Sequence, residues 1–337
     1  MTERDATAGS GAPKWIVLLL WLIALALAGW TLSGLPLDHI GRSIAALAWT
    51  DWILWVALNG ALVALATKRW QTLSAALGAP IGFVPLMLVR QAGQAVSFIT
   101  PGPQFGGEPL QIYLLYRQYA QPLRKAVMAL GLDRLYELLV NFSVLLVGVL
   151  YLLAQGGAVA NWRSIAFGLL ALVLMVTALG WLLVRQPQWL TDRWQRLVKR
   201  WEQHPRLQKL GGELRASRGI AKTTPKIGKR PLAWALLLSL MVWAALLAEL
   251  ALVLEFTSVP LTLPGFVLIA VAMRLALLLP LPGGIGALEA SVLWSFQVLA
   301  FPASAAIALI ALMRLRDATM LLAGLFSLGP LQYRRLG

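Results

Sequence analysis

The sequence predicts an all-α, polytopic integral membrane protein. Of its 337 residues, 59% are hydrophobic and 13% are charged, whereas about 25% of the residues in soluble domains are charged. The mean hydropathy is +0.74. Apolar runs recur from Trp15 to Leu331, so we expect one integral membrane domain over residues 15–337, preceded by a cytoplasmic tail at 1–14.

Six apolar segments predict full crossings of the bilayer, at 15–34, 51–67, 124–154, 164–184, 232–254 and 304–330. Lys and Arg gather in the segments that follow or separate these runs, at 68–69, 117–125, 185–230 and 334–335. The positive-inside rule places these basic segments in the cytoplasm, and with them both termini of the chain.

Two further segments carry helix-breaking residues inside apolar sequence. TPGPQFGGEP at 100–109 and PLPGGIGALEA at 280–290 hold prolines and glycines that a continuous helix does not tolerate. The piece 78–115 has basic flanks and the piece 264–303 has uncharged flanks. We therefore expect two re-entrant helical hairpins that enter the bilayer from opposite faces. Two thin complete spans, or a span kinked at proline, are the alternative in each case.

The two halves of the chain share one order of features. Repeat one covers about 51–154 and repeat two about 232–330; each has a span, a hairpin with an arginine before its turn, and a span with an adjacent aspartate and arginine. The arginines before the turns are Arg90 and Arg274, and the adjacent pairs are Asp133-Arg134 and Arg316-Asp317. Hairpins that enter from opposite faces make this an inverted repeat, which is typical of transporters.

The broken turns predict a site for an anion near the middle of the membrane. A half-helix that begins there offers free amide N–H groups and the positive end of its dipole, and glycine lets a phosphate approach the backbone closely. The glycines concerned are Gly106, Gly107, Gly283, Gly284 and Gly286. Close packing between helices is the alternative reason for glycine at these positions.

Charged residues inside the predicted spans and hairpins complete this site. Each costs about 2.5–3.5 kcal/mol at the membrane centre, so it must face protein or water. We expect a lipid head group to be bound by Arg90, Arg134, Arg274 and Arg316, together with Glu108, Asp133, Glu289 and Asp317. Arginine suits a phosphate because its planar fork donates two parallel hydrogen bonds.

The carboxylates also have structural alternatives. The members of each aspartate-arginine pair are sequence neighbours whose side chains point apart on a helix, so we expect the pairs to interact across the two repeats. Glu108 and Glu289 follow the glycines closely and are placed to cap the starts of the half-helices.

The basic stretch 185–230 predicts an interfacial helix. It holds thirteen Lys and Arg against three acidic residues, a net +10 of the chain's +15. Apolar and aromatic residues recur in it at helical spacing with arginines beside them. We expect this helix to lie on the anionic cytoplasmic leaflet, and no nucleic acid is expected as a partner. The predicted membrane-surface residues are Arg193, Trp194, Arg196, Arg200 and Trp201.

The PGPQFGGE segment, the aspartate-arginine pair that follows it and the PLPGGIGALEA segment carry a family resemblance. Over about 15–330 the chain resembles the flippase-like membrane domain of the lysylphosphatidylglycerol synthases, the multiple peptide resistance factor family. The resemblance implies a bacterial inner-membrane protein that moves a lipid between leaflets, and it suggests a homodimer. It also implies a stand-alone member without the family's soluble aminoacyl-transferase domain.

We therefore expect a transporter, or flippase, that moves an anionic or phosphate-containing lipid through a polar cavity at mid-membrane. A membrane-embedded head-group transferase, with Glu108, Asp133 or Glu289 as acid or base, and a scaffold of a lipid-biosynthesis complex are the alternatives. The sequence holds no nucleophilic triad, Walker loop or dinucleotide fingerprint, and no cofactor is expected. Cysteine is absent and the two histidines are far apart, so a metal site is not expected.

Overall fold

A computed structural model of the chain describes residues 48–100, 106–156, 162–185, 227–257, 259–260, 262–279 and 281–333. The regular structure within these ranges is helical throughout, with no strand. The first predicted span, the tail before it and the predicted interfacial helix with its membrane-surface residues lie outside the described ranges.

Nine α-helices build the described part of the chain. They are α1 (Trp49–Ala76), α2 (Phe83–Ile99), α3 (Glu108–Gln118), α4 (Leu123–Ala154), α5 (Trp162–Arg185), α6 (Lys229–Phe256), α7 (Leu263–Ala276), α8 (Ala287–Val298) and α9 (Ala303–Tyr333). A short 3₁₀ turn over Pro282–Gly284 precedes α8.

Four of these helices, α1, α4, α5 and α6, are long and apolar enough to cross a membrane. The helix α9 has 31 residues, a length of about 46 Å, but Arg314, Arg316 and Asp317 interrupt its apolar sequence near the middle. The predicted polytopic helical fold is confirmed, and the total of six crossings stays a prediction.

Two pairs of short helices replace continuous spans at the predicted broken turns. The helices α2 and α3 have 17 and 11 residues, and α7 and α8 have 14 and 12. Each is shorter than the roughly 20 residues that a crossing needs. The amide of Gly107 donates to Ser97 Oγ at 2.9 Å and Gln111 Nε2 donates to the Arg90 carbonyl at 3.2 Å. The helices α2 and α3 therefore run antiparallel as a hairpin.

The second hairpin is built in the same way. Gly265, near the start of α7, lies against Leu299, which follows the last residue of α8. The start of one helix thus meets the end of the other, and the two helices are antiparallel. The membrane face from which each hairpin enters stays a prediction.

Several helix pairs join the two halves of the chain, among them α1 with α6, α2 with α9 and α4 with α7. Arg69 of α1 lies 3.3 Å from Ser239 of α6, and Asn59 lies 3.2 Å from Glu249, so α1 and α6 run antiparallel. The helix α2 crosses α9 where Gly324 meets the carbonyl of Gln91, and α4 meets α7 where Gly148 faces Val271. Small residues at these crossings let the backbones approach, as in other membrane helix pairs.

The helix α5 lies at the outside of this arrangement. It packs along α4, and Trp162, Ala166 and Leu169 are buried against that neighbour. Phe167 and Leu174 on its other face are 70% and 61% exposed. In a protein that crosses a membrane, such an exposed apolar face contacts lipid.

Candidate functional site

Asp133 of α4 lies at the centre of the first half and is fully buried. Arg69 Nε of α1 donates to its Oδ1 at 2.7 Å, and Arg90 Nη1 of α2 donates to its Oδ2 at 2.9 Å. Glu137, one helical turn further along α4, accepts from Arg69 and from Arg134. Because both oxygens of Asp133 bind arginine, this carboxylate joins three helices.

Arg69 is the main residue that the sequence analysis misplaced. It was expected among the cytoplasmic charges after a span ending at residue 67, but α1 continues to Ala76 and the Arg69 side chain is 2% exposed. Ala66, Trp70 and Leu73 are buried beside it at helical spacing. That spacing is the signal in the sequence that places Arg69 on an inward face.

The predicted pairing of the aspartate-arginine pairs across the repeats is wrong. Asp133 binds Arg69 and Arg90 within the first half, whereas Asp317 binds Arg314 and Arg316 of its own helix α9. Asp133 has its partners on adjacent helices of the first half, and Asp317 has its partners on its own helix. Neither carboxylate needs a partner from the other half.

Arg314 of α9 organises the second hairpin in the same manner. Its Nε donates to Glu289 Oε1 at 2.7 Å, and its Nη1 donates to the Gly283 carbonyl at 3.0 Å. Arg316, two residues later, donates from Nη1 to Glu249 Oε2 of α6 at 2.9 Å. Arg314 thus binds α9 to the turn of the second hairpin, and Arg316, on a different face of α9, binds it to α6.

Six arginines and six carboxylates form the interior charge cluster: Arg69, Arg90, Arg134, Arg274, Arg314 and Arg316 with Glu108, Asp133, Glu137, Glu249, Glu289 and Asp317. The neighbours Asp133 and Arg134 contact different helices, because adjacent side chains leave a helix in different directions, whereas Arg316 and Asp317 also bind each other.

Both glutamates bind a turn amide, and Glu289 caps α8 as predicted, whereas Glu108 binds an amide that lies just before the start of α3. Glu108 Oε2 accepts from the amide of Gly106 at 2.7 Å, and Glu289 Oε2 accepts from the amide of Gly286 at 2.8 Å. Two other turn amides, those of Gly107 and Gly284, donate to Ser97 and to the Leu281 carbonyl. The amides predicted to be free for an anion are therefore occupied by protein acceptors at these four glycines.

Close packing accounts for glycine at two of the predicted positions. A Cβ on Gly107 would overlap the backbone carbonyl of Gly93, which has no room to move. A Cβ on Gly283, whose φ is +56°, would meet the ring of Phe98 at the end of α2. The turns of the two hairpins are thus in contact with each other through Phe98 and Gly283.

Two adjacent cavities lie between the halves. The first, of about 290 Å³, is lined by all four arginines of the predicted site, Arg90, Arg134, Arg274 and Arg316. The second, of about 320 Å³, is lined by Arg69 and by three of the same four arginines. The wall that both cavities share contains Arg90, Arg134, Arg274, Glu137 and Trp243.

The remaining predicted residues divide into two groups. Asp317 and Gly283 line the first cavity, whereas seven predicted residues line neither cavity, namely Glu108, Asp133, Glu289, Gly106, Gly107, Gly284 and Gly286. The structure adds five polar lining residues, namely Asn59, Gln91, Gln94, Ser97 and Trp243. Their signal in the sequence is weak, because a polar side chain in an apolar run can equally bond its own helix. Glu137 and Glu249 also line the first cavity, and as charged residues inside predicted spans they are expected to face protein or water.

Arg274 differs from the other arginines of the cluster. Its guanidinium carbon lies 4.9 Å from the centre of the Trp243 ring, a cation–π contact. No carboxylate of the described ranges lies within ion-pair distance of it. The flat ring orients the guanidinium and leaves its N–H donors for a ligand in either cavity.

Comparison with known proteins identifies the family. The chain matches the lysylphosphatidylglycerol synthase TM region over residues 16–324, nearly its whole length. None of the curated proteins matches it. The match and the apolar helices establish a multi-pass membrane protein with a lipid-related function. The chain belongs to the lysylphosphatidylglycerol synthase transmembrane-region family.

Proposed function

We propose that this protein moves an anionic, phosphate-containing lipid between the two leaflets of a membrane. The head group occupies the arginine-lined cavities and the acyl chains stay in the surrounding lipid. We place the chain in the bacterial inner membrane with both termini in the cytoplasm, following its basic segments. The homodimer suggested by the family resemblance belongs to the same proposal.

The observation that carries this proposal is Arg274. It lines both cavities, stacks on Trp243 and has no carboxylate partner in the described ranges. An arginine left without a counter-ion inside a membrane protein is costly, and such residues mark substrate or ion pathways. A lipid phosphate supplies the missing charge and accepts both hydrogen bonds of the guanidinium fork.

The walls of the second cavity support a lipid as the ligand. Its lining includes four arginines, namely Arg69, Arg90, Arg134 and Arg274. The other lining residues are largely apolar, among them Leu138, Phe142, Leu172, Leu246 and Leu278. A charged head beside an apolar wall is the chemistry of a lipid rather than of a small inorganic anion.

Corresponding contacts in the two halves support an inverted repeat as part of the proposal. Glu108 at the start of α3 pairs with Arg134 of α4, and Glu289 near the start of α8 pairs with Arg314 of α9. A pseudo-two-fold axis in the membrane plane relates equivalent helices of two inverted repeats in opposite directions, and the antiparallel pairing of α1 with α6 agrees with such an axis. Rocking of one half against the other would open the cavities to each leaflet in turn.

Reconstitution in liposomes tests the proposal. Purified protein should move a fluorescent phosphatidylglycerol from the inner to the outer leaflet, where a membrane-impermeant quencher reaches it. Arg274→Gln should slow this movement about tenfold or more, since a hydrogen bond to a charged group contributes about 1.5–3 kcal/mol. Arg163→Gln, an exposed arginine at the start of α5, is the matched control and should behave like the parent.

The proposal is wrong if the parent protein moves the labelled lipid no faster than protein-free liposomes do. The assignment of the head group to Arg274 is wrong if Arg274→Gln and Arg163→Gln move it equally fast.

A further inference from the structure

The two equivalent glutamate-arginine pairs at the hairpins differ in geometry. Arg314 Nε makes an aligned hydrogen bond of 2.7 Å to Glu289, and two further acceptors hold its Nη1. Arg134 Nε lies 3.1 Å from Glu108 Oε1, but neither of these two buried atoms makes a hydrogen bond in the described ranges. The ion pair in the first half is therefore in contact but poorly aligned.

The two arginines also differ in what they face. Arg134 lines both cavities, whereas Arg314 lines neither. Arg134 keeps one aligned partner, Glu137 Oε2 at 3.0 Å. Its contact with Glu108, which has no aligned hydrogen bond, is thus the weaker of its two ion pairs and the one that a further acceptor in the cavities would replace more readily.

We infer that Glu108 is a positioning residue that competes with the lipid phosphate for Arg134, so that head-group binding releases the start of α3 from α4 while Arg90 and Asp133 keep the middle of α2 in place. The inference rests on the proposed function and deepens it. The phosphate offers Arg134 aligned acceptors in place of an unaligned one, and Glu108 is left without its partner on α4.

Release of Glu108 acts on the contact between the hairpins. Glu108 begins α3, and Gly107 before it packs on Gly93 of α2, so the start of α3 and the end of α2 move together. The end of α2 carries Phe98, which lies against Gly283 of the second hairpin. Freeing α3 from α4 therefore lets the two turns separate at one end of the first cavity, which both Phe98 and Gly283 line.

The variant Glu108→Gln tests the competition. Glutamine can still accept from the Gly106 amide, so this hydrogen bond is kept, but it removes the charge that competes for Arg134. Binding of short-chain phosphatidylglycerol to the purified protein should become about fivefold tighter, the low end of coupling between sites. Glu255→Gln, at an exposed glutamate in the last turn of α6, is the matched control, and its affinity should equal that of the parent because Glu255 lines neither of the two cavities.

The binding results separate the inference from the function. Affinity in Glu108→Gln that is equal to or weaker than in the parent overturns the inference and leaves the proposed function standing. Failure of the parent to bind phosphatidylglycerol more tightly than uncharged diacylglycerol overturns both.

Hydrogen exchange of the parent protein gives a second test that needs no variant. Addition of short-chain phosphatidylglycerol should speed exchange in the first turn of α3 and leave the first turn of α8 unchanged. Slower or unchanged exchange in α3 overturns the release of its start from α4, even if Glu108→Gln cannot be purified in a folded form.

Discussion

Asp133 has two arginines, Arg69 and Arg90, bound to its two oxygens and no exposure to solvent. Burial of this carboxylate carries a desolvation cost, and the ion pairs with both arginines offset that cost only while both arginines are present. The carboxylate is therefore a structural centre of the first half, and its arginines are held at the cavity wall by it.

We predict that Asp133→Asn strongly destabilises the protein. The change leaves two buried guanidinium groups short of a counter-charge, and breaking a buried pair costs about 3–5 kcal/mol. Thermal unfolding in detergent, followed by intrinsic fluorescence, should show a clearly lower melting temperature. Asp51→Asn at the exposed start of α1, where Asp51 accepts from the Ala48 amide, is the matched control and should change it little. Equal melting temperatures of the two variants would contradict this role of Asp133.

The sequence was sufficient to select the arginines of the cavity but not their partners. Arg90, Arg134, Arg274 and Arg316 interrupt apolar runs, and the cost of a charge in lipid requires such residues to face inward. Which carboxylate each one meets depends on how neighbouring helices are rotated, and a single sequence does not record that. Arg69 was not selected because it follows an apolar run, and by the positive-inside rule a basic residue in that position marks the cytoplasmic end of a span.

The helical hairpin of α2 and α3 depends on a contact between two glycine backbones. A Cβ on Gly107 would overlap the carbonyl of Gly93, and a Cβ on Gly93 would overlap the side chain of Gln111 in α3. The hairpin therefore closes more tightly than ordinary helix packing, and the Ser97 hydroxyl can accept from the Gly107 amide.

We predict that Gly107→Ala opens this hairpin. The added methyl group would overlap backbone atoms that cannot rotate away, so the melting temperature and the movement of labelled lipid should both fall. Gly131→Ala in α4 is the matched control, because a Cβ there meets no atom within 4 Å. Alanine in place of glycine inside a helix should stabilise that variant by up to about 1 kcal/mol. Similar behaviour of the two variants would show that the glycine contact is not needed.

The predicted helix boundaries agree closely with the structure for α4 and α9, and less closely for α1, where the apolar run is followed by the charged residues Lys68 and Arg69. The spans predicted at 124–154 and 304–330 correspond closely to α4 and α9. The span predicted at 51–67 corresponds to α1, which runs nine residues further. Helix α1 continues past residue 67 with Arg69 on its buried face because Asp133 of α4 and Ser239 of α6 supply polar partners, and those partners are distant in sequence.

The helix pairs that join the two halves include α1 with α6, α2 with α9 and α4 with α7, and the cavities lie between the halves. A transporter that works by rocking must change at least one of the contacts between the halves in each cycle. The crossing of α2 and α9 is suitable for a test because Gln91 Nε2 lies 3.9 Å from Met320 Sδ.

We predict that a covalent bridge between α2 and α9 stops transport. The natural chain has no cysteine, so Gln91→Cys with Met320→Cys introduces the only thiols. An ethane-bridged bis-methanethiosulfonate should join them and halt the movement of labelled lipid, and a reductant should restore it. The single variants, treated alike, should stay active. Full transport in the bridged protein would show that this crossing does not move.

The order of the helices and the position of the broken turns could be read from the sequence, whereas the contact between the turns could not. Proline and glycine mark a turn wherever they stand, but the meeting of Phe98 with Gly283 depends on how the two halves dock. The location of the cavities depends on the same docking.

The equal numbers of arginines and carboxylates in the interior charge cluster have an electrical consequence. A charge that crosses the whole transmembrane field contributes about 2.3 kcal/mol per 100 mV. When the halves shift within the field, each charge contributes the fraction of this energy that its displacement covers, with opposite sign for the two kinds. Over this cluster the contributions of the protein largely cancel. A transport rate that responds to voltage would therefore report the charge of the cargo itself.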